Sequence, residues 1–199
     1  AIALIAAGVM AEDSTPNVIV IMADDLGYQD LGFQGSEEVK TPHLDELARN
    51  GVIFTDAHAA ASVCSPSRAG FVTGRYQQRF GPEYNIGQAF QSLGYKTYMI
   101  GKWHLGNLDE MYPTNRGFDE FWGLREGSRN FFYKDSEKFG NYHSIEHNGE
   151  HVKFEGFLTD CMTDAAINMV ETDKKAPFFM FLSYTAPHGP LQATPEDKA

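Results

Sequence analysis

The residues best able to do chemistry in this chain are a cysteine, an aspartate pair, a lysine and two histidines, far apart in sequence. Cys64 opens the string Cys64-Ser65-Pro66-Ser67-Arg68-Ala69-Gly70-Phe71-Val72-Thr73-Gly74-Arg75. Pro66 has no N–H to donate, and its fixed φ suits a first helical turn; Ser65 reads as the N-cap and Gly74 as the stop. A thiol ahead of a helix start lies at the positive end of the dipole, beside free N–H groups that favour an anion. Arg68, one turn in, reaches back toward the same point. Taken alone, such a cysteine is by default a small buried apolar residue, so the other residues must decide.

Asp24 and Asp25 end the apolar run Asn17-Val18-Ile19-Val20-Ile21-Met22-Ala23. Adjacent carboxylates at the tip of a buried strand repel one another unless something positive joins them. A hard divalent cation with oxygen ligands is one answer, and a solvated turn with two exposed acids is the alternative. Lys102 and His104 flank Trp103 just after the run Tyr95–Ile100. In an extended segment both point to one side, where a lysine can clamp an anion and a histidine can pass a proton. His188 follows a third apolar run, Pro177–Tyr184.

Those runs read as strands buried on both faces, with helices between them. One helix has Thr41 as cap, Pro42 as first residue, a stripe of Leu44, Leu47 and Ala48, and Gly51 as its end. A short strand is expected at Val52–Thr55, with His58 a loop or core histidine beyond it. Further helices are expected at Asn85–Leu93, stopped by Gly94, and from Leu158 to about Glu171. Met162, Ala165, Ala166 and Met169 continue the last one's apolar stripe, with Cys161 beside it as a buried free thiol. Strands alternating with helices predict an α/β fold with an open, mostly parallel sheet and right-handed crossovers. Parallel strands deliver their C-terminal ends to one edge, which would collect Asp24, Asp25, Lys102, His104 and His188, with Cys64 added by its helix.

His143, His147 and His151 are spaced by four, as helical metal ligands would be. Asn148-Gly149 between them favours a hairpin, in which His147 faces Glu150 and His151 faces Glu146. The aromatics of Arg116–Gly123 read as packing, and Arg125 and Arg129 as surface arginines. A net charge of −11 with no basic run excludes a general nucleic-acid binder. Two cysteines make no disulfide framework. The apolar run at 1–11 is too short to span a bilayer and reads as a clipped signal peptide, hence export; a buried N-terminal strand or helix is the other reading.

The string from Cys64 to Tyr76 closely resembles the active-site motif of the type I sulfatases. Gly101-Lys102-Trp103-His104-Leu105-Gly106 resembles that family's second motif, and His188 matches a catalytic histidine of the family. The resemblance covers residues 17–190 and implies the N-terminal part of a catalytic domain with the alkaline-phosphatase-like fold. It further implies that Cys64 is oxidised to formylglycine by a formylglycine-generating or sulfatase-maturing enzyme. Ca²⁺ would be held by Asp24, Asp25 and the modified residue 64. By the same resemblance Arg68 holds the hydrated aldehyde, Lys102 screens sulfate charge, and His104 and His188 move protons. The implied reaction is hydrolysis of sulfate esters, of carbohydrate or aryl alcohols, by an exported protein (periplasmic, secreted or lysosomal). Phosphonate or phosphodiester hydrolysis on the same motif is the alternative, and a non-catalytic sugar-binding homologue a third reading. The family is normally more than twice this length, and its second half carries an Asp-Asn pair, another lysine and a smaller domain. A fragment with weak Ca²⁺ binding and little activity is therefore expected. The segment after Tyr76 is also shorter than is usual in the family.

Overall fold

The computed structural model describes residues 2–3, 15–79, 83–133, 143–172 and 176–198. In chain order the strands and α-helices are β1 (Ile2–Ala3), β2 (Val18–Asp24), α1 (Pro42–Asn50), α2 (Cys64–Thr73), α3 (Ile86–Ser92) and β3 (Lys96–Lys102). There follow β4 (Glu120–Leu124), β5 (Glu146–His147), β6 (Glu150–His151), α4 (Leu158–Thr172) and β7 (Phe178–Pro187). They form one sheet in the order β1-β2-β7-β3-β4-β5-β6. The central four strands are mutually parallel, and β1, β5 and β6 pair antiparallel at the two edges. The mostly parallel α/β architecture expected from the sequence is what forms.

Why the central strands are apolar throughout follows from what covers them. Residues alternate between faces, and both faces are packed. Val20, Met22, Met99, Phe179 and Phe181 meet Ala69 and Val72 of α2 and Phe90 of α3 on one side. Ile100, Met180 and Leu182 meet Leu158, Met162 and Ala166 of α4 on the other. Phe90 stacks on Phe179 with centroids 4.2 Å apart. Helix α3 is fixed at its start by a reciprocal capping box between Asn85 and Gln88, and Asn85 Nδ2 also donates to the Arg116 carbonyl at 2.9 Å. Asn85→Ala should therefore lower stability in urea denaturation by about 1–2 kcal/mol.

At the C-terminal end of β3 the strands come unusually close. Gly101 has φ +96°, and a Cβ there would lie 2.0 Å from the Ser183 carbonyl oxygen. Strain and overlap act together, so Gly101→Ala should cost about 3 kcal/mol or more, read by the same denaturation.

Several expectations need correction. Helix α2 begins at Cys64 itself, with Val63 as the N-cap and no side-chain cap bond. Ser65 is not the cap, and Pro66 fits inside the first turn because the first N–H groups of a helix have no intrahelical partner anyway. Val52–Thr55 forms no strand; all four residues are exposed and pair with no strand among the described residues. Strand β4 was not foreseen, because its Phe121 and Trp122 read as packing aromatics. Phe121 is indeed fully buried. The hairpin has the expected register, His147 opposite Glu150 and Glu146 opposite His151. Asn148 and Gly149 have φ of 50° and 94° at its turn, so the three histidines form no single cluster. The expected signal peptide, 1–11, lies outside the described residues save Ile2–Ala3, which pair with β2. The short segment after Tyr76 includes 80–82, also outside them.

Candidate active site

Four separate elements meet at the C-terminal edge of the sheet. The last residue of β2, Asp24, the last residue of β3, Lys102, and Arg68 in α2 are all buried, with Lys102 wholly out of solvent. Lys102 Nζ donates to Asp24 Oδ2, and Arg68 Nη2 lies 3.5 Å from Asp24 Oδ1. Arg68 Nη1 donates to the Lys102 carbonyl at 2.8 Å and to Ser183 Oγ at 2.5 Å. Ser183 Oγ in turn donates to the same carbonyl at 2.9 Å. One carboxylate is thus shared by two cations, leaving a net positive charge behind the first turn of α2. Burial lowers the pKa of the Arg68 guanidinium, opposed first by the Asp24 charge. Its Nε and Nη2 make no hydrogen bond, and Nη2 is held to Asp24 by the ion pair.

Cys64 is half-buried, and its Sγ lies 3.3 Å from His104 Nδ1. His104 has φ +56°; the chain is not simply extended from Lys102 to His104, as the sequence suggested, but turns. That turn brings His104 onto Cys64 while Lys102 reaches Asp24. Burial, then the charges of Lys102 and Arg68, hold the His104 imidazole below its ordinary range. A neutral ring with Nδ1 facing residue 64 is placed to take a proton from it. His188 sits on the other side. Its Nδ1 is 2.7 Å from the Gly189 carbonyl, which can only accept, so Nδ1 carries a hydrogen. Its Nε2 turns toward Asp25 Oδ2, 3.6 Å away.

The aspartate pair splits between the two roles weighed for it. Asp24 is an ion-pair partner with both oxygens facing cations, whereas the Asp25 side chain is 59% exposed, with φ +64°. Among the described residues no three of His, Cys, Asp and Glu gather as a metal-holding group. Two adjacent carboxylates are nonetheless the hard oxygen donors a divalent cation takes, and Ca²⁺ needs about six to eight oxygens. The donor chemistry fits, and these residues supply only part of a shell.

Ser183 was missed as a site residue; its signal was the first hydroxyl after the apolar run 178–182 of β7. Arg125 and Arg129 are not surface arginines. Arg125 pairs with buried Glu146 at 3.1 Å, and Arg129 donates to the His143 carbonyl while lying 4.8 Å from the Phe154 ring centre. Cys161 is half-buried rather than buried. Its thiol faces the Glu155 carbonyl at 3.1 Å, on the wall of a cavity of about 760 Å³ on the α4 side. Burial pushes that thiol's pKa up, away from reactivity.

The sulfatase family model matches residues 16–199. The chain belongs to the sulfatase family. It is 36% identical over 206 residues to arylsulfatase J of Mus musculus, an alignment covering 92% of this chain and 34% of that protein. Ps i-CgsB, solved in complex with k-i-k-neocarrahexaose, superposes with a TM-score of 0.86 at 37% identity, covering 92% of this chain and 48% of that one. A protein solved with its substrate D-glucosamine-2-N,6-O-disulfate gives a TM-score of 0.77 at 29% identity, with 92% and 37% covered. This sulfatase chain therefore spans about a third to a half of these relatives' length. Among the described residues no helix is long and apolar enough to cross a membrane.

Proposed function

We propose that this sulfatase chain belongs to an exported enzyme that hydrolyses sulfate esters, with residue 64 as formylglycine and Ca²⁺ at Asp24, Asp25 and residue 64. The observation that carries the reading is the meeting of Cys64 with His104, backed by the buried Arg68–Asp24–Lys102 cluster. Bound there, Ca²⁺ would supply Lewis acidity toward sulfate oxygens. The hydrated aldehyde would supply one hydroxyl to attack sulfur and a second whose deprotonation expels sulfate.

The chain's own groups do the rest. His104 Nδ1 takes the proton from the hydroxyl at 64. His188 Nε2, turned toward Asp25, gives a proton to the departing alcohol. Arg68, ion-paired with Asp24 behind the first turn of α2, holds the group at 64. Lys102, tied to Asp24, keeps the field there positive without touching substrate. That field and the helix N–H groups stabilise charge gathering on the sulfate oxygens. The substrate class we favour is a sulfated carbohydrate, in keeping with the ligands named for the two solved relatives above. A formylglycine-generating or sulfatase-maturing enzyme is the partner required.

Paired assays of an aryl sulfate and an aryl phosphonate ester, on protein co-expressed with such a maturing enzyme, test the reading. Faster turnover of the sulfate is expected. Preference for the phosphonate would replace it with the phosphonate hydrolase alternative.

A further inference from the structure

The end of β4 and the residues just after it build the seat of His104. The carbonyls of Leu124 and Arg125 accept the backbone N–H groups of Trp103 and His104, each at 3.0 Å. Arg125 is itself anchored, since its Nε and Nη2 donate to Glu146 Oε1 at 3.2 and 3.1 Å and its Nη1 to the Asn107 carbonyl at 3.1 Å. The backbone that grips His104 is therefore fixed from both sides.

Gly127 then lies against the imidazole. A Cβ at this position would sit 2.7 Å from His104 Cε1, 2.9 Å from Nε2 and 3.2 Å from Nδ1. Its φ is outside the left-handed range, so the backbone here would accept an ordinary residue. The ring is what excludes one. The ring is pinned on its Nδ1 side, where that nitrogen meets Cys64 Sγ. We infer that Gly127 is a positioning residue, whose bare backbone forms the wall that keeps His104 Nδ1 aimed at residue 64. Its bearing on turnover rests on the proposed role of His104, but its effect on the ring does not.

The test uses the chain with residue 64 as the unmodified thiol. Alkylation of Cys64 by iodoacetamide is followed at one pH by peptide mass spectrometry, with Cys161 as the internal reference, in wild type, Gly127→Ala, His104→Ala and the double variant. The thiol gives up its proton as it reacts, and His104 Nδ1, 3.3 Å away, is the acceptor in contact with it, so loss of that contact should slow Cys64 about fivefold, the size expected of contacting residues. Gly127→Ala should show that loss with Cys161 unchanged, and should add nothing in the His104→Ala background. A wild-type rate in Gly127→Ala, or an equal loss with and without His104, would overturn the inference. If Gly127→Ala fails to fold, the unsubstituted protein decides. A Gly127 Hα proton over the ring should be shifted upfield in its NMR spectrum and move on His104→Ala, and a proton that does neither removes the wall. Absence of sulfatase activity would count against the proposed function while leaving this cycle readable.

Discussion

Asp24→Ala is expected to lower the unfolding free energy by about 3–5 kcal/mol, because it strands two buried cations. Lys102 is fully buried and Arg68 nearly so, and Asp24 is the acid both of them face. The second cation makes this site unlike an ordinary buried pair. Removing Lys102 instead, as Lys102→Met, leaves Asp24 with Arg68, so the loss should be smaller. Urea denaturation of the two variants makes the comparison. A loss for Asp24→Ala below that for Lys102→Met would mean that Asp24 is not the shared counter-charge. The same cluster bears on function, since it sets the positive field behind the first turn of α2.

Cys64→Ser should abolish multiple turnover, a loss of the order of the whole catalysed rate. A serine hydroxyl can attack sulfur, but it has no second hydroxyl on the same carbon whose deprotonation would expel sulfate. A single turnover that leaves sulfate on residue 64 is therefore the expected end point, visible as a mass increase of the intact protein. Steady release of alcohol by Cys64→Ser over many cycles would remove the need for an aldehyde. The position tolerates the change structurally, since Cys64 is half-buried and α2 starts there without a side-chain cap.

Much of this was legible in the sequence for physical reasons. Strands covered on both faces must be apolar throughout, so Val18–Met22, Tyr98–Ile100 and Phe178–Leu182 announce themselves. Asn148-Gly149 fixes a two-residue turn, and with it the pairing of His147 and Glu150. What was not legible depends on distance in the chain. Nothing local to Asp24 says that Lys102, 78 residues on, supplies the positive charge its carboxylate requires. Nothing local to Gly127 marks it as a neighbour of His104. Val52–Thr55 has the composition of a strand but no partner strand among the described residues. Lys102 and His104 do reach one site, though through the turn at His104 rather than by the alternation that suggested it.

The measurement closest to the central claim is a mass spectrum of the tryptic peptide from Asn50 to Arg68, from protein made in its native host. An aldehyde at residue 64, trapped by a hydrazine reagent, is the expected result. An unmodified thiol throughout, in a host that matures its other sulfatases, would contradict it.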